Sequence, residues 1–170
     1  MTENQFCEII ERYKSPVIAL IGKMVSSIET AQDISQDTFV RLWNYREKIK
    51  RDSSVFTLIY KIAVNLSIDY LRKSKPEKIE FDIVTNEYTD EKLETNEFYK
   101  LILKCSEKLK PKQKAVFIMR DIDGLSFEEI AEVLEMPVSN IRSNLHLARK
   151  NVRQLLQEKY NINQEYINVL

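Results

Sequence analysis

The side chains of this sequence best suited to chemistry are cations, and they are clustered. Between Pro137 and Tyr160 the chain carries Arg142, Arg149, Lys150, Arg153 and Lys159 against one acid, Glu158. Guanidinium and ammonium groups gathered on one element suit phosphate recognition, which is binding rather than bond breaking. The competing reading is a solvated helix face, because cations also collect near helix C-termini where the macrodipole favours them. Residue types for other chemistries are missing. His146 is the sole histidine, which excludes His-rich metal sites and most histidine-based catalysis. Cys7 and Cys105 are far apart without CxxC spacing, so they read as reduced structural thiols rather than zinc ligands or a disulfide. There is no Gly-rich phosphate loop, nucleophile elbow or paired His/carboxylate cluster. The expectation is therefore no catalytic residue, no metal, no cofactor and no small-molecule substrate.

The cations need an element to hold them, and the stretch "LSFEEIAEVLEMPVSNIRSNLHLARK" (125–150) supplies one. Ser126 and Glu129 have the spacing of a capping box, and Ile130, Ala131 and Leu134 follow at helical intervals. Pro137 interrupts that helix. Ser139 is positioned to cap a second one, with an apolar face of Ile141, Leu145, Ala148, Val152 and Leu155. Two helices joined by a tight turn, with small Ala131 permitting close approach, predict a helix-turn-helix.

The remainder is helical by composition as well, with two glycines and four prolines in 170 residues. Residues 3–27 read as helical with a break near Ser15–Pro16. A helix follows from about Thr30 with a broad apolar set of Ile34, Thr38, Phe39, Val40, Leu42 and Trp43. After the polar "KIKRDSS", Ser53 or Ser54 can cap a helix that buries Ile59, Ile62, Ala63, Leu66 and Tyr70, showing Lys61, Asn65, Asp69 and Arg72 on its other face. Pro76 ends it. Helix resumes around Asn96–Leu109, then from Pro111 at a first turn to Gly124. No apolar run reaches the length of a membrane span and no signal peptide opens the chain, so a cytoplasmic protein is expected.

Overall charge is zero but segregated. Residues 1–40 carry net −3, 41–78 net +6, 79–98 net −6 and 99–170 net +3. Such blocks suggest two basic modules separated by an acidic connector. The expected organisation is all-α: two small helical domains over 1–75 and 95–160, an acidic linker over 76–94, and a tail over 161–170.

The ordered motifs "DISQDTFVRLW" (33–43), "IYKIAVNLSIDYLRK" (59–73) and "LKPKQKAVFIMRDIDGLSFEEIAEVLEMPVSNIRSNLHLARK" (109–150) resemble bacterial RNA polymerase sigma factors of the extracytoplasmic-function class. These are the minimal members of the sigma-70 family, with regions 2 and 4 only. The resemblance implies a transcription initiation factor, not an enzyme, whose partners are core RNA polymerase, promoter DNA and an anti-sigma factor that is often membrane-anchored. It implies polymerase docking by Asp33, Gln36, Asp37, Phe39 and Trp43, although Phe39 and Trp43 also suit a core. It implies capture and melting of the promoter −10 element by the loop Lys48–Ser54 and the helix Val55–Lys73, with Lys61, Asn65, Asp69, Arg72 and Lys73 as contacts. It implies −35 recognition by Arg142, Ser143, Asn144, His146, Arg149 and Lys150, with the acidic linker threading toward the polymerase active site.

The sequence departs from the family pattern at several places. Arg or Lys is frequent where Asn144 and Leu147 stand, glycine is common at Glu135, and Trp is usual at Leu58. Asn144 could pair with adenine, and Leu147 could meet a thymine methyl or pack on a neighbouring helix. Exposed apolar positions such as Phe39 and Leu147 would suit an anti-sigma partner. Two alternatives remain: a stand-alone helix-turn-helix regulator binding a palindromic operator as a dimer, and a helical interaction protein that sequesters a partner.

Overall fold

The computed structural model describes residues 2–49, 55–74 and 97–162. Among them only helices and turns occur, and the chain divides into two compact units, one organised around the helices between Glu3 and Lys73 and the other around helices between Glu97 and Tyr160. The expected linker over 76–94 lies outside the described residues, as do the Ser53 and Ser54 caps, Lys50–Ser54 of the −10 loop, and the tail beyond Ile162.

In the first unit, α1 (Glu3–Val25), α2 (Ile28–Tyr45) and α3 (Val55–Lys73) each pack on the other two. Thr2 and Gln5 close a reciprocal capping box at the start of α1. The expected break at Ser15–Pro16 is absent: α1 runs through Pro16, and tertiary packing of its second half outweighs the one backbone bond that proline forfeits. Ser26 ends the helix at φ 60°, and Ser27 caps α2 by accepting from the Thr30 N–H at 3.3 Å. Helix α2 therefore starts ahead of Thr30. The core joins Val17, Leu20, Ile21 and Met24 to Ala31 and Leu42, and to Ile59, Ala63 and Val64, all essentially inaccessible. Burying each large aliphatic side chain contributes about 1.5–3 kcal/mol.

The register of α3 differs from expectation. Its buried face is Ile59, Tyr60, Ala63, Val64, Ser67 and Ile68, while Ile62, Leu66 and Tyr70 sit half-buried at the border. A helix wedged against two partners needs a wide face with small residues along its middle, and Ala63 and Ser67 supply them. The Ser67 hydroxyl donates to the Ala63 carbonyl at 2.8 Å, so its burial leaves no orphan polar group.

In the second unit, α4 (Glu97–Ser106) and α5 (Pro111–Phe117) pack against α7 (Val138–Tyr160). Pro111 sits at the first position of α5, where its missing N–H costs nothing. A π-helical turn, Ile118–Ile122, extends α5, marked by the Asp123 N–H donating to the Ile118 carbonyl at 2.9 Å. Gly124 then takes φ 74°, a left-handed conformation that suits glycine. The capping box of α6 (Phe127–Leu134) forms as expected: Glu129 N–H donates to Ser126 Oγ at 3.1 Å, and Ser126 N–H to Glu129 at 2.8 Å. The Ser126 N–H first, and its hydroxyl at 2.8 Å second, donate to the Glu129 carboxylate and hold its pKa below the ordinary value. Two expectations fail on α7. Pro137, not Ser139, occupies the cap position, which leaves Ser139 inside the helix. Leu156, not Leu155, completes the buried stripe with Ile141, Leu145, Ala148 and Val152.

Candidate nucleic-acid and partner surfaces

Helix α2 presents an exposed stripe, polar at Asp33, Gln36 and Asp37 and apolar at Val40, at intervals of three and four residues. Beside it α1 and α2 enclose a hollow of about 760 Å³, lined by Phe6, Cys7, Ile10, Phe39, Val40 and Trp43 among others. Three of the five residues expected to dock polymerase, Gln36, Phe39 and Trp43, meet in this hollow, while Asp33 and Asp37 stand outside it on the exposed stripe. Phe39 is only 7 % exposed, which corrects its expected role as a protruding apolar contact: it forms part of the hollow's wall and belongs to the core. The protruding position is Val40, at 57 %. Trp43 is half-buried against Phe6, ring centroids 4.8 Å apart, and the Arg46 guanidinium lies 4.1 Å from its centroid. Arg46 also donates to the Trp43 carbonyl at 3.0 Å, so the indole is fixed from two sides. The result is an apolar recess with an acidic stripe beside it.

On α3 the expected −10 contacts fall on one stripe. Asn65, Asp69, Arg72 and Lys73 are exposed and Lys61 is half-buried. Arg72 pairs with Asp69 at 3.9 Å, an exposed contact one helical turn apart that contributes little stability and leaves the guanidinium easily redirected. Asn65 carries its amide on the helix exterior, where a polar mid-helix residue is under no packing demand. On another side of the helix Phe56 stacks on Tyr60 at 4.1 Å, with Tyr13 within 6.4 Å of Phe56.

The helix-turn-helix of the second unit turns at Glu135, φ 51°, the left-handed residue expected there. Along α7, Arg142, Ser143, His146, Leu147 and Lys150 are exposed. Leu147, at 45 %, therefore presents its side chain outward rather than packing on a neighbouring helix. The residues expected to read −35 differ sharply in their present commitments. Ser143 and Asn144 donate back to the carbonyls of Ser139 and Asn140, at 3.0 and 2.8 Å. Arg142 lies 5.1 Å from the ring centroid of Phe127, and Arg120 lies 4.6 Å from the same ring while donating to the Leu125 carbonyl at 2.7 Å. Arg149, expected to meet DNA phosphate, is instead forked onto Asp121, Nε to Oδ2 at 2.8 Å and Nη2 to Oδ1 at 2.6 Å. That bond raises the Arg149 pKa above its ordinary value. Asp121 had no signal in the sequence, because its partner Arg149 stands 28 residues along the chain; Arg120 and Phe127 pair at closer range, and no motif marks them.

Beneath this face Lys114 is 3 % exposed, and burial lowers its pKa to about 8 against the opposing pull of Glu107. Among the described residues no group of three or more His, Cys, Asp or Glu could hold a metal, and no helix is long and apolar enough to cross a membrane. Cys7 is exposed and Cys105 buried, both free.

Comparison with known proteins yields a consistent set. The family model of Sigma-70 region 2 matches residues 9–77, and that of Sigma-70 region 4 matches residues 99–152. The ECF RNA polymerase sigma factor SigW of Bacillus subtilis is 29 % identical, over 92 % of this chain and 91 % of its own. The ECF RNA polymerase sigma-E factor of Haemophilus influenzae is 26 % identical, over 91 % and 89 %. Among solved structures, CnrH in complex with the cytosolic domain of CnrY superposes with a TM-score of 0.70 at 19 % identity, covering 93 % of this chain and 91 % of that one. The sigma factor RpoE in complex with the anti-sigma factor NepR from Bartonella quintana gives 0.68 at 20 % identity, covering 91 % and 98 %.

Proposed function

We infer the working parts of this chain from one premise: it belongs to the extracytoplasmic-function class of the sigma-70 family of RNA polymerase sigma factors. It is a transcription initiation factor that joins core RNA polymerase and directs promoter recognition. In the division of labour proposed here, residues 1–75 dock the polymerase and open the −10 element, residues 95–160 read the −35 element, and residues 76–94 connect them. The polymerase supplies the bond-forming chemistry, and the cytoplasm is where the two meet.

For the first unit, the supporting observation is the α1–α2 recess. An aromatic wall of Phe6, Phe39 and Trp43 beside Asp33 and Asp37 suits a partner helix with an apolar anchor and flanking cations. The α3 stripe combines Arg72 and Lys73 for backbone with Asn65 for a base edge, the mixture that holding a melted strand requires. For the second unit, the exposed Arg142, His146, Leu147 and Lys150 on the second helix of a helix-turn-helix carry the −35 reading. The same surfaces fit an anti-sigma partner, as the solved complexes of CnrH and RpoE suggest by analogy.

The deciding experiment is run-off transcription with purified core polymerase on a promoter library. The full chain should yield discrete transcripts whose templates share two sequence blocks at a fixed spacing. A chain that instead binds a palindromic operator as a dimer, and yields no transcript with core polymerase, would be a stand-alone regulator.

A further inference from the structure

The fork between Asp121 and Arg149 spans 28 residues and joins the π-helical turn to the middle of α7. The Asp121 side chain is 8 % exposed and that of Arg149 37 %. Both carboxylate oxygens are engaged, and the guanidinium spends one two-donor edge, Nε and Nη2, on them rather than on a phosphate. Arg149 follows Arg142 by two helical turns and so shares its side of α7. At such partial exposure an ion pair adds little stability, but two parallel bonds fix an angle that a single contact leaves loose.

We propose that Asp121 and Arg149 are positioning residues, which together set the placement of α7 for base reading, and that Arg149 is not a phosphate contact. The proposal rests on the −35 reading of α7. It explains an otherwise unfavourable arrangement, a carboxylate held beside a surface meant for a polyanion: the charge is consumed internally by the arginine it orients. Base reading tolerates only small displacements of the reading element, so a device that fixes α7 without touching DNA controls specificity as directly as a contact does.

The test uses the full chain assembled with core polymerase and duplex promoters with matched or mismatched −35 elements, titrated across a potassium chloride series. Arg149→Lys keeps the charge and loses the fork, while Asp121→Asn keeps the shape and releases the arginine. Both should reduce the matched-over-mismatched preference about tenfold, as loss of one well-placed base contact does, with the salt slope unchanged. Wild-type preference in Arg149→Lys overturns the proposal. So does a salt slope shallower by about one in Arg149→Gln, because the wild-type arginine would then have been neutralising a phosphate. If Asp121→Asn melts before assay, the Arg149 variants decide alone. Wild-type indifference to −35 mismatches would sink the −35 reading itself. The pair is then judged by amide hydrogen exchange in the full chain: Arg149→Lys should lose protection over residues 138–149, and unchanged protection refutes positioning.

Discussion

The proposed recognition faces of α2 and α7 are both exposed stripes on amphipathic helices, yet their side chains are committed in opposite ways. The α2 stripe borders a recess, and its acids, Asp33 and Asp37, stand exposed beside an aromatic wall. The α7 stripe is part of an outward-facing helix whose polar side chains are already engaged, Ser143 and Asn144 with their own helix and Arg149 with Asp121. A recess recognises by what it can bury, so its affinity depends on side-chain volume. An outward reading helix recognises by where donors and acceptors lie, so its selectivity depends on placement. Similar stripes can thus carry different physics.

The largest expected effect separates wall from rim in the α2 recess. Phe39→Ala should destabilise the first unit by about 3–5 kcal/mol, the cost of truncating a buried aromatic. Val40→Ala, on an exposed side chain, should stay within about 0.5 kcal/mol in stability while weakening polymerase binding. Urea melts beside polymerase titrations read both. A stable Phe39→Ala variant would mean the recess collapses around the gap and is not a preformed socket.

Next in size is an alkaline response confined to the second unit. The buried polar residues described in the first unit are serines and a threonine, whereas the second buries Lys114. Its folded pKa, about 8, lies below the ordinary 10.5, so the unfolded chain holds the proton more tightly. The penalty is complete below about pH 8 and is relieved as pH rises toward 10.5, a gain of about 3 kcal/mol. Tyr99 runs the other way. Burial first, and Asp123 second, push its pKa up to about 12, so its contribution is intact below pH 10 and lost from there toward 12. Stability of the second unit should therefore rise from pH 8 to 10 and turn over above that. Trp43, the only tryptophan, reports the first unit by fluorescence while circular dichroism reports both. Lys114→Met should abolish the rise, and a rise of equal size in Trp43 fluorescence would assign it to the wrong unit.

A smaller effect tests placement directly. Asn144→Ala should relax preference at one −35 position by roughly 1–3 kcal/mol on the preferred base only. Asn144 spends one amide N–H on the Asn140 carbonyl, which leaves its Oδ1 and second N–H for a base edge. Lys150→Ala should weaken matched and mismatched DNA alike and flatten the salt slope by about one. Indistinguishable behaviour of the two variants would leave base selection to Arg142, His146 or DNA shape.

How much of this was legible follows from the range of each interaction. The α6 capping box, the left-handed Glu135 and Pro111 at a helix start are local, written within a few residues, and the structure shows each as expected. The family resemblance singled out Asp33, Gln36 and Asp37, and helical spacing puts these three on one stripe of α2. What escaped is non-local. The rotation of α3 depends on two neighbours at once, and the choice of Leu156 over Leu155 depends on where the other helices of its unit lie. Continuity of α1 through Pro16 reflects packing that outweighs a local penalty. The Asp121–Arg149 fork has no signature at all, since any Asp and any Arg can stand 28 residues apart.

The π-helical turn Ile118–Ile122 has a consequence for chain length. A π ring encloses one more residue than an α ring, so losing a single residue here could be absorbed by closing the ring to an α turn. Gly124 and the cap of α6 would keep their neighbours. The same deletion within α7 would swing every later side chain by about 100°, turning Lys150 inward and Val152 toward water. Among the described helices this turn is therefore the place where the chain can change length with least damage, provided the residue given up is not Asp121.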